Sequence, residues 1–172
     1  MLVAKTVQLR LVEESDASFI VSLRTDDKYN KYLSNVSSDV DIQREWIKRY
    51  KEKERNKDEF YFVIERNDGT PCGTVRIYDL KDDSFCWGSW ILNEDKTRYA
   101  AVESALLVYE YGFEHLGFSK SHFEVVKENI KVIDFHLKFG AKQTSEDLEH
   151  YYYEISKESV ADMKKKFSRV IK

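Results

Sequence analysis

SFCWGSWILNEDKTRYAAVES, residues 84–104, contains a strand pattern that changes within one short loop into a helix pattern. The strand covers residues 84–92, and the helix that follows over 99–116 is the longest apolar helix of the chain. A helix that is apolar around most of its surface is expected to lie against a sheet. Gly88 falls inside the strand, where a glycine usually marks a bulge or the close approach of a backbone or ligand. The run therefore predicts an interrupted strand followed by a helix that covers a sheet.

Shorter patterns on both sides of this run complete the order of elements. Val7, Leu9 and Leu11 alternate with polar residues and predict a strand, and the helix after it is capped by Ser15 or Asp16. The other predicted elements are an amphipathic helix around 42–50, strands over 59–65, 72–80, 121–126 and 149–156, and helices over 129–139 and 158–169. This order, without a linker or a repeat, predicts one mixed α/β (α+β) domain over residues 1–172.

Composition and charge exclude several classes of protein. The 172 residues are 42% hydrophobic and 14% aromatic, which is too apolar for a disordered chain. A net charge of -3 gives no reason to expect a nucleic-acid binder. Cys72 and Cys86 are too few for a disulfide-dense fold or a four-ligand metal site, so no metal is predicted. No apolar run is long enough for a signal peptide or a membrane span, and we expect a cytoplasmic protein.

Two places in the sequence carry groups that can bind or react. The helix that begins near Tyr99 has unpaired N–H groups in its first turn, which attract phosphate, and Lys96 and Arg98 add positive charge beside it. Asn129 is placed to cap a later helix, and His136 lies two turns on, on the same side. A core histidine is the alternative interpretation of His136.

The order and spacing of these features resemble the GNAT acetyltransferase superfamily. The family has a bulged strand, a pyrophosphate loop that opens a long helix, a further strand, and a helix that ends at a glycine. The matching segments are GSWI (88–91), KTRYAA (96–101), SHFEVVKEN (121–129) and ENIKVIDFHLKFGA (128–141). The resemblance covers about residues 6–157. Within the family, the sequence most resembles the branch that contains ribosomal-protein N-terminal acetyltransferases and amino-sugar N-acetyltransferases. It implies a GNAT-type fold, whose mostly antiparallel central sheet of six to seven strands is splayed at the middle and flanked by helices.

The resemblance also implies an activity and a set of binding residues. The chain would transfer an acetyl group from acetyl-CoA, its co-substrate, to a primary amine. Backbone at Trp90, Ile91 and Leu92 would bind the pantetheine arm. The N–H groups that would hold the pyrophosphate belong to Thr97, Arg98, Tyr99, Ala100 and Ala101. Asn129 stands at the family's cofactor-binding asparagine, and His136 stands at the place of its proton-donating tyrosine.

The sequence departs from the family pattern in its loop and in its strand. Thr97 and Tyr99 stand where the loop usually has glycines, which permit positive φ or close backbone approach. Another residue can still present its N–H group if the loop keeps negative φ. Trp87 stands where the family has a glutamate, so the pattern names no general base. These departures leave open a GNAT-like module that binds or regulates without catalysis.

The acceptor is predicted from aromatic side chains. Tyr78 and Trp87 on neighbouring strands, with Tyr29 from the first helix and its loop, are the candidate substrate-binding residues. Aromatic rings stack on sugars and nucleobases, which favours a nucleotide-linked amino sugar as acceptor. A core role is the alternative for each ring, and a protein N-terminus or a polyamine is the alternative acceptor.

The expected mechanism is direct attack by a neutral amine on the thioester, with the enzyme supplying alignment and proton transfer. A histidine with an ordinary pKa of about 6.5 serves as acid or base near neutrality, and the position of His136 favours the acid role. We expect the small-molecule amine to be the partner, without nucleic acid or membrane, and the chain to be a monomer or homodimer.

Overall fold

A computed structural model describes residues 1–170 and shows a mixed sheet of eight strands with five α-helices. The strands are β1 (Leu2–Val3), β2 (Val7–Leu11), β3 (Phe60–Arg66), β4 (Pro71–Tyr78), β5 (Ser84–Leu92), β6 (Lys120–Val126), β7 (Lys142–Glu146) and β8 (His150–Ser156). The helices are α1 (Ala17–Arg24), α2 (Val40–Arg55), α3 (Ala100–Glu110), α4 (Ile130–Phe139) and α5 (Lys157–Ser168). The mixed, mostly antiparallel sheet with flanking helices is therefore confirmed.

The sheet has eight strands and not the predicted six to seven, because it includes two short strands. β1 has two residues, and every residue of β7 (KQTSE) is exposed. A strand that buries no side chain leaves no alternating apolar pattern in the sequence, which is why these strands were not predicted. α3 also ends before the predicted residue 116, because the chain continues from Glu110 into a π-helical turn over Tyr111–His115.

The described chain divides into two compact units. The first contains residues 1–79 and 88–107, and the second contains residues 80–87 and the chain from 108 onward. β5 and α3 contribute residues to both units, because the boundaries fall inside these two elements. This division does not test the single domain expected over residues 1–172, which stays a prediction.

The first unit contains the strands β1, β2, β3 and β4 in that order, followed by the second part of β5. A Cβ atom at Gly73 would lie 2.1 Å from the carbonyl oxygen of Ile91, so the close approach of β4 and β5 requires glycine there. α1 and α2 pack on β3 through a buried apolar cluster that includes Ile20, Ile47 and Val63. This packing fixes both helices beside the sheet.

The cap predicted for α1 is different in the structure. Asp16 occupies the N-cap position, but its side chain makes no capping hydrogen bond. Its carboxylate instead accepts two hydrogen bonds from the guanidinium of Arg10, each of 2.8 Å. A bidentate ion pair of this kind competes with capping for the same oxygens.

The second unit contains the first part of β5 and then β6, β8 and β7. β5 and β6 pair in parallel only over Ser84–Cys86 and Lys120–His122. This pairing ends before Gly88, where the sheet is predicted to splay. Gly112 in the π-helical turn packs against Phe85, whose ring lies 2.1 Å from where a Cβ atom would be.

Two further findings apply to residues 1–170. No helix among them is long and apolar enough to cross a membrane. In the same part of the chain, no group of three or more His, Cys, Asp or Glu side chains is placed to hold a metal ion. Cys72 and Cys86 are both buried, and neither is in a disulfide within this part of the chain.

Candidate active site

The interruption of β5 lies at Ser89 as well as at Gly88. Ser89 has a φ of 49°, a left-handed conformation, whereas Gly88 is not among the described glycines with positive φ. A Cβ atom at Gly88 would lie 3.0 Å from the hydroxyl oxygen of Tyr78, a tight contact that only a small shift of the tyrosine side chain would relieve. A left-handed residue other than glycine costs roughly 1–2 kcal/mol, and such strain is concentrated at functional sites. β5 runs as one strand from Ser84 to Leu92, and we call the left-handed Ser89 with its neighbour Gly88 the interruption of β5; the splay of the sheet at this place stays a prediction.

The residues after the interruption are tied to the start of α3. The indole N–H of Trp90 donates a hydrogen bond of 3.2 Å to the hydroxyl of Ser104, which is fully buried. Ile91 is 3% exposed, whereas Leu92 is half-buried. The backbone of this segment is therefore held in place from the helix, while its predicted contact with a pantetheine arm stays a prediction.

The loop between β5 and α3 keeps negative φ, which a phosphate loop without glycines needs. None of residues 97–101 has positive φ. The side chain of Asn93 accepts the N–H of Asp95 at 2.9 Å, and the N–H of Ala100 donates to the Thr97 carbonyl at 3.2 Å. Threonine and tyrosine at the two glycine positions are thus accommodated without strain. The exposed guanidinium of Arg98 lies 5.2 Å from the ring centre of Tyr99.

A buried carboxylate anchors this loop. Glu103, in the first turn of α3, is 2% exposed and accepts the N–H of Thr6 at 2.8 Å and the hydroxyl of Thr6 as well. The same hydroxyl lies 2.7 Å from the hydroxyl of Thr97. Thr6 and Glu103 were not predicted as site residues. The available signal was an acid in the first turn of an otherwise apolar helix.

Asn129 stands at the start of α4 without capping it. It occupies the N-cap position with ψ of 66°, and its side chain makes no capping hydrogen bond. The predicted N-cap role is therefore wrong for the side chain, because its backbone lies outside the extended conformation that directs a cap. Gly140 ends the helix in the left-handed conformation, as expected for the glycine at that end.

His136 is buried in an aromatic cluster of the second unit. It is 5% exposed, and its ring centre lies 4.1 Å from that of Phe123 and 5.5 Å from that of Trp87. Its Nδ1 atom has no hydrogen-bond partner. Burial lowers the pKa of His136 from 6.5 to about 3, because an apolar surrounding disfavours the charged ring. The ring is neutral at pH 7, so the expected pKa near 6.5 is corrected, while its catalytic role stays a prediction.

The three aromatic residues proposed for the acceptor lie in different surroundings. Trp87 is 4% exposed and packs on Tyr109 and Phe123, contacts that favour its core alternative. The hydroxyl of Tyr29 donates to the carboxylate of Glu94, which raises the pKa of Tyr29. The ring of Tyr78 lies 4.4 Å from the guanidinium carbon of Arg76, and its hydroxyl lies beside Gly88. The structure thus places the hydroxyl of Tyr78 against Gly88, at the interruption of β5 within the first unit.

A cavity of about 330 Å³ in the first unit was not predicted. It lies among α1, the loop 34–37, α2, β3, β4 and β5, and Ser89 forms part of its wall. Arg24, Arg49 and Arg76 line it together with Trp46, and no Asp or Glu of residues 1–170 is part of the lining. We call it the arginine cavity. Its arginines come from separate elements, so only tertiary structure reveals the cluster.

The α/β architecture, the irregular strand β5 and the glycine-poor loop that opens α3 match the pattern of an acyltransferase of the GNAT class. Residues 6–142 match the family model described as Acetyltransferase (GNAT) domain. The chain belongs to this family and is an acetyl-CoA-dependent N-acetyltransferase. A comparison with curated proteins found no match.

Solved structures with the same fold include enzymes with different acceptors. The chain is similar to apo FdhC, a nucleotide-linked sugar GNAT, with 56% identity, a TM-score of 0.90, and coverage of 98% of this chain and 96% of that chain. It also resembles the ribosomal-protein-S5-alanine acetyltransferase from Vibrio fischeri, with 15% identity, 90% and 95% coverage and a TM-score of 0.77. The spermidine N-acetyltransferase from Vibrio cholerae, in complex with CoA and spermine, has 18% identity, 90% and 98% coverage and a TM-score of 0.77. The last two similarities show the fold alone.

Proposed function

We propose that the chain acetylates the amino group of a nucleotide-linked amino sugar. The observation that carries this proposal is the 56% identity to a nucleotide-linked sugar GNAT over 98% of the chain. The two neighbours with other acceptors share 15% and 18% of their residues with the chain and bear on the fold only.

The charge of the arginine cavity supports an anionic acceptor over a polyamine. A polyamine carries several positive charges at neutral pH, and the cavity lining contains three arginines and no carboxylate. Like charges at close range are unfavourable near a protein surface. A nucleotide-linked sugar carries negative phosphates, so the same lining attracts it. A protein N-terminus remains the second candidate acceptor.

We propose that acetyl-CoA is bound by the residues that the family resemblance named. When bound, it supplies an acetyl group activated as a thioester. The negative φ values of residues 97–101 mean that this loop needs no glycine, and Thr6 with Glu103 holds it in place. The N–H of Ala100 already donates to the Thr97 carbonyl, so the other N–H groups of the set are the ones proposed to face a phosphate. Asn129 fits a binding role because its side chain is not used as a helix cap.

His136 is the proposed group for the chemical step. Its neutral ring holds no extra proton at pH 7, so it donates a hydrogen bond to developing charge more readily than it donates a proton. The Nδ1 atom is buried without a hydrogen-bond partner, so it can form a hydrogen bond with a group of a bound ligand. The acceptor must therefore lose its proton to water or to another residue.

The test is a screen of acetyl-CoA consumption against three classes of amine. UDP- and dTDP-linked amino sugars, spermidine and a short peptide with a free N-terminus are offered at equal concentrations, and free thiol is measured. We expect turnover with at least one nucleotide-linked amino sugar and kcat/KM for it well above the values for the other two classes. Turnover confined to spermidine or to the peptide would reject the proposed acceptor.

A further inference from the structure

We infer that the arginine cavity binds the nucleoside diphosphate part of the acceptor, with Arg24, Arg49 and Arg76 on the phosphates and Trp46 as the stacking surface for the base. The inference rests on the proposed function, because it assigns the recognition of that acceptor to named residues. It also adds a site outside the aromatic residues that the sequence predicted.

Among the described residues, Arg24 and Arg49 form no ion pair with a carboxylate, and Arg76 forms only a long one, in contrast to other arginines of the chain. Arginines outside the cavity that form ion pairs with carboxylates are Arg10, Arg44, Arg55 and Arg66. In the cavity, Arg24 donates only to the carbonyl and hydroxyl oxygens of Ser34, each at 3.0 Å. The carboxylate of Glu59 lies 3.9 Å from Arg76, beyond hydrogen-bond distance. The positive charge of the cavity is therefore only partly neutralised by protein carboxylates, in a chain whose net charge is -3.

Two of these arginines also have buried N–H groups without a partner. The Nε atoms of Arg24 and Arg76 are both buried and make no hydrogen bond. A buried donor that is left unpaired is costly, and native proteins rarely retain one without a use. Phosphate oxygens fit the forked donors of arginine with two parallel hydrogen bonds, a geometry that lysine lacks.

One wall of the cavity is formed by packed aromatic rings, and the volume of the cavity is suitable for a small molecule such as a nucleotide. Trp46 stacks on Tyr50 with a ring distance of 5.8 Å and an interplanar angle of 6°, and the ring of Tyr61 meets it edge-on at 5.7 Å. Any of the nucleobases can stack on such rings. The volume of about 330 Å³ lies within the range of about 300–1,000 Å³ that is usual for small-molecule sites.

The position of the cavity relates the nucleotide to the reacting amine. Ser89 lines the cavity and directly precedes Trp90, the first residue proposed to bind the pantetheine arm. A nucleotide held by the arginines therefore leaves its sugar on the side of the β5 interruption. The arginines are thus positioning residues, which act on acceptor binding and not on the bond that is made.

The test is isothermal titration of UDP and dTDP into the full-length chain saturated with CoA. Saturation with CoA is essential, because CoA contains a nucleoside diphosphate of its own and must already fill its site. We expect binding of at least one of the two probes, weakened about 10- to 100-fold by Arg76→Gln and by Arg49→Gln. Arg55→Gln is the matched control, since Arg55 is an exposed arginine of α2 that does not line the cavity, and we expect no change. Arg49 is also exposed, so its replacement leaves folding intact.

The outcomes separate this inference from the proposed function. For each probe, equal affinity in the parent and in both cavity variants would overturn the inference, even if amino sugars are acetylated. Binding that is seen without CoA but is abolished when CoA is present would overturn it as well. Arginine-dependent binding of a diphosphate without acetylation of any nucleotide-linked amino sugar would support the cavity assignment and reject the proposed acceptor. With both correct, KM for the amino sugar rises in the cavity variants while KM for acetyl-CoA does not change.

Discussion

Replacing His136 with phenylalanine changes how the stability of the fold depends on pH. The ring is 5% exposed among aromatic side chains, and burial lowers its pKa from 6.5 to about 3. Because the folded-state pKa is below the unfolded value, the unfolded chain takes up this proton first as the pH falls. The stability that the neutral ring contributes is therefore complete above pH 6.5 and is lost as the pH falls from 6.5 toward 3. His136→Phe removes this dependence because phenylalanine does not titrate.

The size of the effect follows from the shift. Each pH unit below 6.5 lowers the free energy of unfolding by about 1.4 kcal/mol through this group, so the loss at pH 5.0 is about 2 kcal/mol. Urea unfolding at pH 7.5 and pH 5.0 measures it as the difference between parent and variant, in which all other titrating groups cancel. His115→Phe, which replaces an exposed histidine, is the control and should keep the parent's pH dependence. Equal pH dependence in His136→Phe and in the parent would refute the neutral, buried state.

The same variant separates a chemical role from packing. A proton-transfer or hydrogen-bonding role in the reaction predicts that His136→Phe loses about 10²–10⁴-fold in turnover while binding of acetyl-CoA is retained. His136→Tyr restores the residue type found at this place in the family and should recover activity that phenylalanine does not. A phenylalanine variant with parental turnover and equal or greater stability would show that His136 is a core residue.

Three further predictions concern the loop, the strand and α4. Asn129→Ala should raise KM for acetyl-CoA with almost no loss of stability, because its side chain makes no cap; a fall in melting temperature with unchanged kinetics would contradict this. Glu103→Gln should lower the free energy of unfolding by about 1–3 kcal/mol and raise KM for acetyl-CoA, whereas Glu110→Gln, on the less buried part of α3, should do neither. Ser89→Gly should raise stability by about 1 kcal/mol in a urea melt and lower kcat through looser alignment, and unchanged stability would show that the serine is not strained.

The sequence predicted the parts of the fold that bury side chains on one face. β3, β4 and β5 were predicted from dense runs of aromatic and β-branched residues, and α4 from its apolar spacing and its terminal glycine. β7 was not predicted, because its five residues are polar and exposed, and its place in the sheet depends on backbone pairing to β8 alone. A local sequence pattern does not indicate backbone pairing of that kind.

The site was predicted where one segment carries the signal and missed where several segments combine. Gly88 marked the interruption of β5, although the left-handed residue is its neighbour Ser89. The pKa of His136 depends on Phe123 and Trp87 from other elements, so an ordinary value was the only one that the sequence alone supported. The arginine cavity is the extreme case, since the residues that form it are brought together only by the packing of helices on the sheet.

Ser89 lies between the arginine cavity and Trp90 within the first unit. Its backbone is held in a conformation that costs roughly 1–2 kcal/mol, although a glycine, which would adopt it freely, stands next to it in the sequence. Gly88 itself does not adopt the left-handed conformation, and it lies against the hydroxyl of Tyr78. The strain therefore lies at the residue that lines the arginine cavity and precedes Trp90. We propose that this strained turn forms a fixed boundary between the two proposed binding regions, which a reaction that aligns an amine with a thioester requires.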